Sequence, residues 1–200
     1  MEPREESEAS AGRTDTIHMP GQNLVCSLAS GGVSANSPVL GTEFATSPIE
    51  RLRILESYSN IAMVGLSSNP YRPSHFAAKY LLFEGYNVIP VNPREKQILG
   101  KACYPSVTDI PGPVEVVDIF RPARDVPPLV EQAIEIGAKV IWMQFGVIHY
   151  EAAKRARDAG LEVVMDHCMK VEHGRFFGNL SILGLNTGVI SSRRVASKRA

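Results

Sequence analysis

Apolar residues along the chain fall at two alternating spacings. Ile61-Ala62-Met63-Val64 is a short apolar run of strand type, ended by Gly65. After a polar loop, Phe76, Ala77, Tyr80, Leu81 and Phe83 recur at helical spacing, and Gly85 stops that helix. Val88-Ile89-Pro90-Val91 reads as a strand, although Pro90 cannot donate to a ladder. Val114 to Phe120 is the next strand. Val126, Leu129, Val130, Ala133 and Ile134 then line one face of a helix closed by Gly137. Val140-Ile141-Trp142-Met143 is again strand-like. Ala152, Ala153, Ala156 and Ala159 mark a helix ending at Gly160, and Leu161 to Met165 is the last strand.

In EGYNVIPV, IGAKVIWM and AGLEVVMD a helix ends in Gly and a β-rich run follows at once. Glycine there accepts the left-handed conformation that closes a helix. Short apolar strands alternating with helices imply parallel strands covered on both faces. Right-handed crossovers then give a Rossmann-like, doubly wound α/β fold: a mainly parallel sheet of about five strands with helices on both faces.

Charge divides the chain into three parts. Residues 1–48 hold six acids and two basic groups, and 20 of the 48 are Gly, Pro, Ser or Thr. That composition predicts an N-terminal tail with little or no fixed order. The last ten residues, 191–200, carry four basic groups and no acid, and are expected to form a solvated basic tail. Residues 49–190 hold the patterned domain. The whole chain balances 21 basic against 21 acidic residues, so no nucleic-acid partner is expected from its charge. No apolar run is long enough for a membrane span. Cys26, Cys103 and Cys168 are odd in number and widely spaced, which suggests neither a disulfide framework nor a metal pair. A reducing, cytoplasmic setting is the expectation.

A doubly wound sheet binds ligands outside the carboxyl ends of its strands. The loops there are GLSSNPYRPS from Gly65, then Asn92-Pro93-Arg94, Arg121-Pro122, Gln144-Phe145-Gly146 and Asp166-His167-Cys168. Gly65, Ser67 and Ser68 open the first loop. Arg72 and Ser74 sit just before a helix start, where free N–H groups and a bidentate guanidinium suit a phosphate and Ser74 can cap. The loop is not GxGxxG, because Ser67 stands in place of the second glycine. A NAD ribose wants an acid at the end of the second strand; here Asn92 is followed by Arg94 and Lys96, which suit a phosphorylated ribose. NADP and coenzyme A both meet that description.

Several segments, from VGLSSNPYRPSHFAAKYLLFEGYNVIPVNP to AGLEVVMDHCMKVEHGR, closely resemble the stand-alone coenzyme A-binding domain proteins over about residues 49–175. Those proteins are similar to the CoA-binding domain of the succinyl-CoA synthetase α-subunit. The resemblance implies coenzyme A, or an acyl-CoA, held through its phosphates and adenosine. It implies Gly65, Ser67, Arg72 and Ser74 at the phosphates and Asn92 and Pro93 at the adenosine. Phe120 and Arg121 would flank the cofactor, with Gln144 and Gly146 toward the pantetheine arm. Cys168, following the last strand, is expected near the same end. The family usually has Asp-Arg-Cys where this chain has Asp166-His167-Cys168. The rival readings are an NADP-dependent oxidoreductase-type domain and a subunit of a CoA ligase. A homo-oligomer or an unidentified protein partner is compatible with all of these.

The residues name no catalytic machinery. His18, His75, His149 and His173 are isolated and read as surface or capping groups rather than bases; His167 is the exception, since it stands beside Asp166 and Cys168 and a Cys-His pair can make a thiolate nucleophile, although adjacency in sequence does not place the side chains together. His173, Glu172 and Cys168 lack metal-ligand spacing.

Overall fold

A computed structural model of the chain describes residues 42–178. Residues 1–41 of the expected 1–48 tail, the expected tail 191–200, and residues 179–190 lie outside the described residues. The N-terminal limit of packing is earlier than residue 49. A 3₁₀ turn spans Thr42–Phe44, and Phe44 is only 5% exposed, with the Arg157 guanidinium over its ring at 4.7 Å.

Helix α1 (Pro48–Ser57) opens with a reciprocal cap that is readable in Ser47-Pro48-Ile49-Glu50. The Glu50 N–H donates to Ser47 Oγ, the Ser47 N–H donates to the Glu50 carboxylate, and Pro48 fills the first helical position. Then follow β1 (Asn60–Val64), α2 (Pro73–Phe83), β2 (Asn87–Val91), and a small antiparallel hairpin of β3 (Gln97–Ile98) and β4 (Lys101–Ala102). The chain continues through β5 (Val116–Ile119), α3 (Val126–Glu135), β6 (Val140–Met143), α4 (Tyr150–Asp158), β7 (Glu162–Val164) and α5 (Met169–Phe177). The hairpin, α1 and α5 add to the elements expected from spacing.

The five main strands are all parallel, in the order β2-β1-β5-β6-β7. Pro90 is accommodated because β2 is an edge strand. Its carbonyl accepts from the Tyr104 N–H, so the missing N–H would have pointed on the same outer side, away from β1. Buried residues of α1, α2 and α5 (Ile54, Leu81, Met169) pack on one face of the sheet; those of α3 and α4 (Val130, Ala153) pack on the other. A buried ion pair, Arg51 Nε to Glu172 Oε2 at 2.8 Å, ties α1 to α5. No described helix is long and apolar enough to cross a membrane.

Candidate functional site

The strand order reverses between β1 and β5, so the loops leaving those strands diverge and open a crevice at their carboxyl ends. Gly65, with φ +83°, makes the turn out of β1. A Cβ at this position would stand 2.7 Å from the Phe120 carbonyl oxygen and 2.9 Å from Arg121 Cδ, so the two loops approach as closely as a glycine permits. This contact forms a saddle with a cavity on either side.

The first cavity, about 300 Å³, lies toward α3. Gly65, Asn92, Pro93 and Arg121 line it, opposite Ser106 and Gln132. The second, about 360 Å³, lies between the starts of α2 and α5, where Phe120, Gln144 and Cys168 meet Tyr71, Phe76 and Lys170. Phe120 and Arg121, adjacent in sequence, therefore face opposite sides of the saddle. Of the expected site residues, seven line these two cavities.

Many of the expected contact groups are already engaged within the chain. Ser74 is inside α2 rather than at its cap; Arg72 is the cap residue, and the buried Ser74 hydroxyl accepts from the Ser67 N–H at 3.2 Å. The helix start also offers fewer donors than expected. Pro73 has none, and the His75 and Phe76 N–H groups donate to the Arg72 carbonyl. Ser68 Oγ donates to the Glu95 carboxylate at 2.6 Å, which puts an acid against the first loop between the basic Arg94 and Lys96. The Asn92 side chain staples two loops together: its Nδ2 donates to the Leu66 carbonyl at 2.8 Å, and its Oδ1 accepts from the Arg94 N–H at 3.0 Å. Arg121 is paired with Asp125 in its own loop at 2.8 Å. Gly146 lines neither cavity, and its N–H donates to Asp166 Oδ1 at 2.7 Å. Arg72 is different. Its side chain is exposed and makes no hydrogen bond or ion pair among the described residues.

Spacing alone does not single out Asp118, an acid in the otherwise apolar β5. It is wholly buried; Oδ1 accepts from Gln144 Nε2 at 2.6 Å, while Oδ2 has no hydrogen-bond partner among the described residues. Desolvation pushes its carboxyl up to about 7, against the lowering effect of the Gln144 bond. Burial also pushes the Cys168 thiol up; the Val171 backbone opposes this first, the Asp118 charge adds to the rise, and Lys170 opposes it. His149 caps α4, with Nδ1 accepting from the Ala152 N–H at 3.1 Å, as a capping role expects. His167 Nδ1 lies 2.8 Å from the Met165 carbonyl, which fixes it as the protonated ring nitrogen. No group of three His, Cys, Asp or Glu side chains among the described residues is arranged to hold a metal.

A family model described as a CoA binding domain matches residues 59–174, which covers the crevice and both cavities. The chain belongs to that family. Among its relatives, the uncharacterized protein YneT of Bacillus subtilis is 39% identical over 127 residues, covering 64% of this chain and 94% of that one. An ADP-forming acetate–CoA ligase of Archaeoglobus fulgidus is 33% identical over 120 residues, which are 54% of this chain but only 17% of the ligase. A solved hypothetical protein from Pyrococcus horikoshii is 43% identical, with a TM-score of 0.64, covering 72% of this chain and 98% of that one. The chain thus carries a CoA-binding domain of Rossmann-like form, related both to small stand-alone proteins and to one region of larger ligases.

Proposed function

We propose that the chain binds coenzyme A or an acyl-CoA across the saddle at Gly65. The adenosine lies toward the first cavity, with Asn92 and Pro93 shaping its wall and Arg94 following them, and the phosphates cross the saddle toward Arg72, whose neighbours Tyr71 and Pro73 line the second. The pantetheine arm runs past Phe120 toward Gln144 and Cys168. The observation that carries this reading is the coincidence of the family match with two cavities that flank the topological switch point. The family match favours CoA over NADP. The ligase's own reaction is not carried over, since the shared region is a small part of that protein. In this scheme Ser67, Ser68 and Ser74 set the shape of the phosphate loop more than they contact phosphate, and Gly146 holds the β6 loop in place through Asp166.

Arg72 supplies the sharpest test at the phosphates, because its side chain is unengaged within the described chain. A charge-assisted contact to phosphate contributes about 1.5–3 kcal/mol. Arg72→Ala is therefore expected to weaken CoA by roughly ten- to a hundredfold in isothermal titration, with the melting temperature of the empty protein unchanged. Unaltered affinity, or a loss of affinity matched by a loss of stability, would remove Arg72 from the phosphate site.

A further inference from the structure

The second cavity is apolar over most of its wall, at Pro73, Ala77, Phe120 and Val171, and Gln144 supplies the side-chain amide there. A cavity of that kind orients its ligand through a few placed polar groups. Which way round the Gln144 amide sits therefore decides what the cavity recognises. The residue is only 4% exposed, so the amide cannot reorient freely in water. Its Nε2 is turned into the protein and donates to Asp118 Oδ1 at 2.6 Å, the side chain's one hydrogen bond among the described residues. Oε1 is the end of the amide left for the cavity.

Asp118 dictates that orientation. It is the third residue of β5, and strand alternation puts it on the same face as Val116, which packs toward α2 and α5. β5 is the middle strand of the sheet and Asp118 is wholly buried, so its carboxyl has no room to turn away. An ionised carboxylate only accepts hydrogen bonds, and Nε2 is the donor end of the amide. Turning the amide over would set Oε1 against Oδ1, acceptor against acceptor. Both Asp118 oxygens would then be unpaired, because Oδ2 already has no partner among the described residues.

We propose that Asp118 is a positioning residue for ligand recognition: by holding Nε2 it fixes Gln144 Oε1 as the hydrogen-bond acceptor on the wall of the second cavity, and that oxygen receives an amide N–H of the pantetheine arm. The proposal rests on the CoA-binding reading above. Pantetheine carries two secondary amides, so one acceptor in an apolar wall matches it. A ligand that presents only acceptors at this point, such as a carboxylate, is disfavoured. Asp118 itself touches no ligand and acts through Gln144.

The full chain is titrated calorimetrically at pH 8 under reducing conditions, where Asp118, titrating near 7, is ionised. The ligands are CoA and 3′-phosphoadenosine 5′-diphosphate, which is CoA without its pantetheine arm, so the ratio of the two affinities reads the arm alone. Wild type should favour CoA. Asp118→Leu and Gln144→Leu should each lower the ratio about five- to tenfold, the effect of one hydrogen bond. The double variant should lower it no further, because both changes remove the same oriented oxygen. Asp118→Asn keeps an acceptor for Nε2 and should stay within about threefold of wild type. An unchanged ratio in either leucine variant, losses that multiply in the double variant, or a loss in Asp118→Asn as large as in Asp118→Leu would overturn the proposal. Isotopic labelling of glutamine gives a second measurement that does not depend on Asp118→Leu folding. One Gln144 side-chain amide proton, assigned by its loss in Gln144→Leu, should exchange slowly with water in the empty wild type; rapid exchange would overturn the anchoring. Wild type that binds CoA no more tightly than the armless ligand would overturn the proposal and leave the CoA-binding reading standing, whereas failure to bind CoA would overturn both.

Discussion

Gly65→Ala is expected to damage both stability and ligand binding, whereas Gly160→Ala should damage neither severely. Both glycines have positive φ, +83° and +87°, so each substitution carries the left-handed penalty of about 1–2 kcal/mol. Their surroundings differ. A Cβ at Gly160 meets nothing within 4 Å, while at Gly65 it lies 2.7 Å from a backbone carbonyl that cannot swing aside as a side chain would. The β1 and β5 loops must separate at the saddle that the two cavities flank. Overpacking of this kind adds about 1–3 kcal/mol. Gly65→Ala should lower the unfolding free energy by about 2–5 kcal/mol in urea titration. It should weaken CoA by roughly a hundredfold, equivalent to about 2.8 kcal/mol. Equal effects of the two substitutions on binding would show that the saddle is not where the ligand crosses.

The second large effect belongs to Asp118 and appears as a change in pH dependence. Its carboxyl titrates near 7 in the folded chain against 3.8 ordinarily, raised by desolvation. Between those values the folded state keeps a proton that the unfolded state has released. Ionisation therefore favours unfolding progressively from about pH 4 to pH 7, and the penalty is fully developed above that. Asparagine does not ionise. The stability of Asp118→Asn relative to wild type should thus rise by on the order of 3 kcal/mol between pH 4 and pH 8, read from urea unfolding at several pH values. Glu50 and Glu115, both held low by hydrogen bonds, impose the opposite slope at acid pH, but they do so in both proteins and cancel in the difference. Parallel curves for the two proteins would mean that the buried carboxyl is not neutral near pH 6.

The alternation of apolar runs with Gly-terminated helices was enough to read the parallel sheet, because buried parallel strands and their covering helices have distinct periods. α5 was not legible in the same way. Its buried face mixes Met169 with Glu172, His173 and Arg175, so burial there follows ion pairing rather than an apolar stripe. α1 left a readable cap in Ser47 and Glu50, but it also buries Arg51. The presence of cavities at the strand ends follows from topology. What each side chain does there does not. Gly146 is held by Asp166 twenty residues on, Ser68 by Glu95, and Asp118 by Gln144. Those partners are chosen by packing between loops, and local spacing carries no record of them.

The most direct measurement of the central claim is isothermal titration of the full chain with CoA, dephospho-CoA and NADP under one set of conditions. CoA is expected to bind at least about tenfold more tightly than NADP, since both carry a phosphorylated ribose and only CoA has a pantetheine arm for the second cavity. It should exceed dephospho-CoA by a similar factor if Arg94 and Lys96 meet the ribose phosphate; parity there removes only that contact. NADP binding as tightly as CoA, or no binding of CoA at all, would contradict the account.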